Sequence, residues 1–223
     1  MSFDDFLKLL NSLSVVVGIG VAIFGFWKWR AELFAKRRIE LCEDVLTRIY
    51  EIRDSIDAIR EPFVLGGEGS SRPKVEGETE QQRQRAEQAY VYYERFDKRR
   101  EPFTELNGLR YRFMAIYGTE WATPFQTFVR IVNRIVMTAG ARLRLRDDRQ
   151  YYGPDAARQA ERDFERQERY DKILYKGYDD NDPIDQEIAI AIDQLETKCR
   201  EEIRASSSLW YGIQKYVSKA SGA

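Results

Sequence analysis

From Leu9 to Trp27 the chain carries no charged residue: LLNSLSVVVGIGVAIFGFW, 19 residues held between Lys8 and Lys28. As an α-helix rising about 1.5 Å per residue, this run reaches about 28 Å, close to the ~30 Å hydrocarbon core of a bilayer. Trp27 and Trp29 mark one end of it, and indole rings favour the membrane interface. A core helix of a water-soluble domain rarely keeps so long an uncharged run and then closes on Trp-Lys-Trp-Arg. A cleaved leader is not expected either. The start holds Asp4 and Asp5 with only Lys8, and bulky Phe26, Trp27 and Trp29 stand where a cleavage site wants small residues. The run therefore predicts one transmembrane helix over residues 9–29. It leaves a short extracytoplasmic N-terminus at 1–8 and a cytoplasmic helical domain at 30–223.

Orientation follows from the flanking charge. The C-terminal flank carries Lys28, Arg30, Lys36, Arg37 and Arg38 against Glu32 and Glu40, a basic cluster that belongs on the cytoplasmic side and is drawn to anionic headgroups. The cell (inner) membrane is the expected location, with the N-terminus out. Ser14, Gly18 and Ala22 recur every fourth residue, with Gly25 close by. Such a stripe lets helix backbones approach in lipid, so these four are the candidate self-association residues.

Beyond the anchor the apolar rhythm continues. Cys42, Val45, Ile49, Ile52, Ile56 and Ile59 follow spacings of 3 and 4, a heptad seam of the coiled-coil type. No proline or glycine falls between Lys28 and Glu61, so anchor and seam are expected to form one helix of more than fifty residues, stopped by Pro62. The seam is expected to pack within its own domain. Residues 63–78, rich in glycine and serine, read as a flexible loop. Further helices are expected at about 79–98, 103–117, from about Pro124 through Leu143, 155–175 and 184–203, with a break at Ser206-Ser207-Ser208 before a last short segment. The expected core includes Ile49, Ile56, Phe128, Val132, Ile188 and Leu195. No strand pattern stands out. The fold class is all-α, a single N-terminal transmembrane helix running on into a cytoplasmic helical bundle.

Composition removes several chemistries. The chain has no histidine, which excludes Ser-His-Asp and Cys-His catalysis and imidazole-ligated zinc. With 36 basic and 37 acidic residues, there is no global field to gather nucleic acid. Cys42 and Cys199 are expected as buried thiols. Asp179, Asp180, Asn181 and Asp182 are hard oxygen ligands but lack the spacing of a calcium loop; Asp182 is better read as a cap for the helix after Pro183. Arg142, Arg144 and Arg146, with Arg149, form the densest basic cluster away from the anchor and are the candidate phosphate contacts. Asp147 and Asp148 sit inside that cluster, and an ion-paired helix end is its default. Arg110, Tyr111 and Arg112, near Glu105, Asn107 and Glu120, suggest no fixed acid–base geometry. No catalytic residue, metal site or cofactor is expected.

A single N-terminal span leading into a helical cytoplasmic domain resembles membrane-associated CRISPR accessory proteins and other phage-defence effectors. Some of these have folds similar to HEPN ribonucleases and assemble into membrane pores. The HEPN motif pairs an arginine with a nearby histidine; Arg110 or Arg130 could fill only the arginine half, so no site residue carries over. The expected function is non-enzymatic: a single-pass membrane protein mediating self-association or protein–protein interaction at the cytoplasmic face. Its partners are the bilayer, further copies of itself and, alternatively, a cytoplasmic protein; nucleic acid is not expected. Two other readings stay open. One is an oligomeric membrane pore or defence-type effector, with Asn11, Ser12 and Ser14 facing the lumen. The other is a membrane-tethered, nuclease-like RNA-binding protein using the arginine cluster.

Overall fold

A computed structural model describes the backbone of residues 3–142, 154–178 and 180–220, and within those bounds the side chains of residues 14–205. Six α-helices account for most of it: α1 Phe3–Ile59, α2 Glu80–Asp97, α3 Arg100–Tyr117, α4 Ala122–Arg142, α5 Ala156–Leu174 and α6 Pro183–Ala220, with one 3₁₀ turn at Thr119–Trp121. No strand occurs among the described residues. The chain divides into two compact units. One is Asp44–Lys198; the other joins the residues up to Glu43 with those from Cys199 onward.

Helix α1 is continuous over 57 residues, as the absence of helix breakers after Lys28 requires. Its seam is wholly inside: Val45, Ile49, Ile52, Ile56 and Ile59 are each 0% exposed. The seam is thus used up by the chain's own packing and offers no free face for a second copy. Within Asp44–Lys198, α4 packs against α2, α3 and α5. It buries Phe125, Phe128, Ile131, Val132, Ile135 and Ala139, the face its apolar spacing predicts. Phe113 of α3 is enclosed by Tyr117, Trp121 and Phe125, with ring centroids at 4.5, 5.7 and 5.4 Å. Ile188 and Leu195 of α6 are buried as expected.

Two helix boundaries differ from expectation. Helix α3 begins at Arg100 and takes Pro102 into its first turn, where a missing N–H costs nothing because that donor has no intrahelical partner. Helix α6 runs through Ser206-Ser207-Ser208 to Ala220. Serine disfavours a helix by only a few tenths of a kcal/mol relative to good formers, about one tenth of what proline costs, so three serines without a proline or glycine do not stop it.

Two buried arginines close the end of α1. Arg60 is 0% exposed. Its guanidinium donates to the carbonyls of Lys172, Ile173 and Tyr175 at the C-terminus of α5, at 2.9–3.2 Å. It also reaches Asp182 at 2.6 Å and Asp185 at 3.3 Å at the start of α6. A helix C-terminus leaves its last carbonyls unpaired and favours a cation, so one side chain satisfies three orphan acceptors and a buried carboxylate together. Asp182 in turn accepts from the Ile184 and Asp185 backbone N–H groups, the capping role read from the sequence. Arg95 of α2 does the same for the chain leaving α1. It donates to the carbonyls of Glu61 and Phe63, both at 2.6 Å, and grips Glu68 with Nε and Nη2. That hydrogen bond holds the Glu68 carboxyl below its ordinary range despite partial burial.

The loop from 63 to 78 carries its own hydrogen bonds. The Gly69 N–H and the Ser71 hydroxyl both donate to Glu94 of α2, at 2.8 and 2.9 Å, and Arg72 pairs with Glu78. Gly69 has φ +82°, and a Cβ there would collide with the Glu87 carbonyl; only glycine lets the loop lie this close to α2. Thr79 then opens α2 with a reciprocal capping box to Gln82.

Candidate functional site

The N-terminal apolar stretch is the first candidate surface. Its side chains from Ser14 on are described, and the most apolar 18-residue window of this helix has none of its residues buried. Val15, Val16, Val17, Ile19, Val21, Ile23, Phe24, Phe26, Trp27 and Trp29 are all more than half exposed. This one helix is long and apolar enough to cross a membrane. Gly18 and Gly25 face open space: a methyl built on either meets no atom within 4 Å. Ser14 and Ala22 are exposed beside them. The basic flank Lys28, Arg30, Lys36, Arg37 and Arg38 is exposed throughout. Arg30 lies 5.5 Å over the Phe34 ring, Lys36 is 3.8 Å from Glu40, and Arg38 is 3.5 Å from Glu202 of α6. Cys42 and Cys199 are both buried and form no disulfide.

Of the expected phosphate contacts, Arg142 is described. Arg144 and Arg146 lie outside the described residues. Arg142, the last residue of α4, faces inward: its Nη1 lies 3.2 Å from Asp171 and also reaches the Tyr175 hydroxyl, over whose ring its guanidinium carbon sits 5.3 Å away. Burial works against its charge, yet Tyr175 and Asp171 more than compensate and raise its pKa. Burial and the neighbouring Tyr175 likewise raise the pKa of Tyr92. Arg142 is therefore part of an internal tyrosine–arginine–aspartate cluster that joins α2, α4 and α5, and its charge is spent there. Sequence spacing misses this because Asp171 and Tyr175 stand some thirty residues downstream.

In the acidic loop, Asp179 lies outside the described residues, Asp182 is committed to Arg60 and to capping, and no cluster of metal-ligating type occurs among the described residues. Near Arg110, Glu105 is paired with Arg48, and Arg112 lies 3.5 Å from Asp44.

What the sequence did not single out is a groove along α3 and α4. It is open to solvent along its length, offers about 660 Å³ and is lined by Arg110, Arg130, Arg134, Asn107, Asn133 and Met137, among others. Arg110 appears in the sequence as one residue of an ambiguous Arg-Tyr-Arg triplet, and Arg130 and Arg134 as interruptions of an apolar face. Only the i, i+4 spacing of the latter pair signals that they share a surface. Comparison with known proteins places none of this in a named context: no family model, no curated protein and no solved structure matches the chain.

Proposed function

We propose that this chain is a single-pass membrane protein whose cytoplasmic helical bundle is held at the inner face of the cell membrane by the first third of α1, and that copies associate through the Ser14–Gly18–Ala22–Gly25 stripe. The observation that carries the reading is the bare apolar surface of α1. Ten large apolar side chains between Val15 and Trp29 are more than half exposed. Leaving each in water forgoes about 2 kcal/mol of transfer free energy, on the order of 20 kcal/mol together. A lipid phase recovers that energy, and none of the most apolar window is buried among the described residues. The basic flank after Trp27 supplies the orientation, and the open space at Gly18 and Gly25 supports close approach of a second helix there.

The test is fractionation and labelling of the full chain in bacterial cells. The protein should pellet with membranes and resist alkaline carbonate extraction, and Val17→Arg with Gly20→Arg should release it. A cysteine introduced as Ser2→Cys should react with an impermeant thiol reagent from outside, and Ser70→Cys only after lysis. Size analysis in mild detergent should give an oligomer that Gly18→Leu dissociates. A monomer would remove the association; a carbonate-soluble wild type would remove the anchor.

A further inference from the structure

The grooves of Asp44–Lys198 differ in charge in a way that composition hides. One, about 460 Å³, balances Arg48 and Arg112 against Asp44 and Glu105. Another, about 560 Å³, is acidic, with five carboxylates against Arg53 and Lys176. Among the described residues, the groove along α3 and α4 has three arginines and no acidic residue in its lining. Glu187 of α6 lies beside it, 2.8 Å from Arg134 and 4.0 Å from Arg130, and the ion pair of Asp97 with Arg100 lines an adjoining groove that shares Asn107, Val129 and Asn133. Among the described residues, Glu187 against the three guanidiniums leaves an excess of two positive charges in a chain whose net charge is −1.

The donors there are also underused. Nη1 of Arg134 is engaged by Glu187, but its Nε and Nη2 are buried without an acceptor among the described residues, and so is Nε of Arg110. Nε of Arg83, on α2, is left the same way, whereas the buried donors of Arg60 and Arg95 find acceptors; three of the four such arginine atoms among the described residues belong to this groove. A buried N–H with no acceptor costs free energy that an anion would return. The guanidinium carbon of Arg110 lies 4.6 Å from the centroid of the Tyr111 ring, a cation–π contact. Beside the arginines lie an apolar strip, Val129 and the 75% exposed Met137, and the amides Asn107 and Asn133. Guanidiniums for phosphate, a flat apolar strip for a ring and amides for its edge make a combination larger than a simple anion needs. The volume lies within the range of small-molecule sites.

We infer that this groove is a binding site for a nucleoside phosphate, with Arg110, Arg130 and Arg134 taking the phosphates and the base lying over Val129 and Met137 within reach of Asn107 and Asn133.

The test is equilibrium binding to the full-length protein in detergent or nanodiscs at low salt. ATP, inorganic tripolyphosphate and adenosine serve as separate probes, and a four-nucleotide RNA as a fourth. ATP should bind saturably and more tightly than tripolyphosphate or adenosine, and should weaken as salt rises. Arg110→Ala should weaken it at least tenfold. Because Arg110 is partly buried, Met137→Glu, which places a negative charge on an exposed side chain, is the second variant and should weaken ATP about as much while leaving the circular dichroism melt unchanged. Equal affinity for tripolyphosphate and ATP would overturn the base-recognising half. Binding by the RNA alone, no saturable binding of any probe, or ATP binding indifferent to Met137→Glu would overturn the inference.

Discussion

The two ends of α1 are built from similar residues and end in opposite environments. Between Val15 and Trp29 its valines, isoleucines and aromatics are exposed on every side; between Val45 and Ile59 its valine and isoleucines are exposed on none. The difference lies in pattern. The downstream half alternates a narrow apolar seam with Arg48, Glu51, Arg53 and Asp54, so one stripe can be buried while the rest meets water. The upstream half is apolar all round and has no polar face to give to water. A helix of the first kind is satisfied by a protein neighbour on one side; a helix of the second kind needs apolar surroundings on every side, a large protein core or a lipid phase.

Substitution by aspartate should separate the halves most sharply. Ile52→Asp puts an unpaired charge into a fully buried site and should unfold Asp44–Lys198, a loss above about 4 kcal/mol, read by loss of the cooperative thermal transition. Val16→Asp should leave that transition in place in detergent and instead lower the membrane-bound fraction. Equal effects on the melt would break the comparison. Next comes Arg60→Met, which strands Asp182 and three α5 carbonyls. It should cost about 3–5 kcal/mol by urea denaturation, with Arg60→Lys recovering only part, since an ammonium cannot reach five acceptors in one plane.

Smaller effects sharpen the account of the loop after α1. Glu68→Gln should cost about 1–2 kcal/mol at neutral pH. Its folded carboxyl is held below its unfolded value by Arg95, so that stability is present above the unfolded pKa and is lost as pH falls through the folded one. Wild type and variant should therefore converge in acid. Asp185 runs the other way. Burial and the neighbouring Asp182 raise its carboxyl, so the proton binds the folded state more tightly, and the ionised form costs stability at neutral pH. Asp185→Asn should be neutral to slightly stabilising there despite its contact with Arg60. Smallest is Thr79→Ala, which removes the α2 capping box for about 1 kcal/mol.

Much of this was legible in the residues themselves. The length of α1, the seam, the inward face of α4 and the cap at Asp182 follow from periodicity and local chemistry, which act within a few residues. What could not be read is where charged residues find partners far along the chain. Arg60 and Arg95 look like solvated arginines until the ends of α5 and α1 are placed beside them. Arg142 looks like an outward cation until Asp171 and Tyr175 claim it. The groove arginines mislead in the opposite sense: Arg130 and Arg134 interrupt an apolar pattern and so read as helix surface, and only packing of α3 on α4 sets Arg110 against them. Arg95 did leave a trace, since it falls four residues after the buried Val91 on the inward face of α2.

Everything rests on what solvates the upstream half of α1. The direct measurement is quenching of Trp27 and Trp29 fluorescence by lipids brominated at graded depths, in full-length protein whose remaining tryptophans, Trp121 and Trp210, are replaced by phenylalanine. Quenching by bromines set near the headgroups, with a blue-shifted emission and little effect from aqueous acrylamide, is the predicted result. Emission that acrylamide quenches and brominated lipid leaves untouched would contradict it.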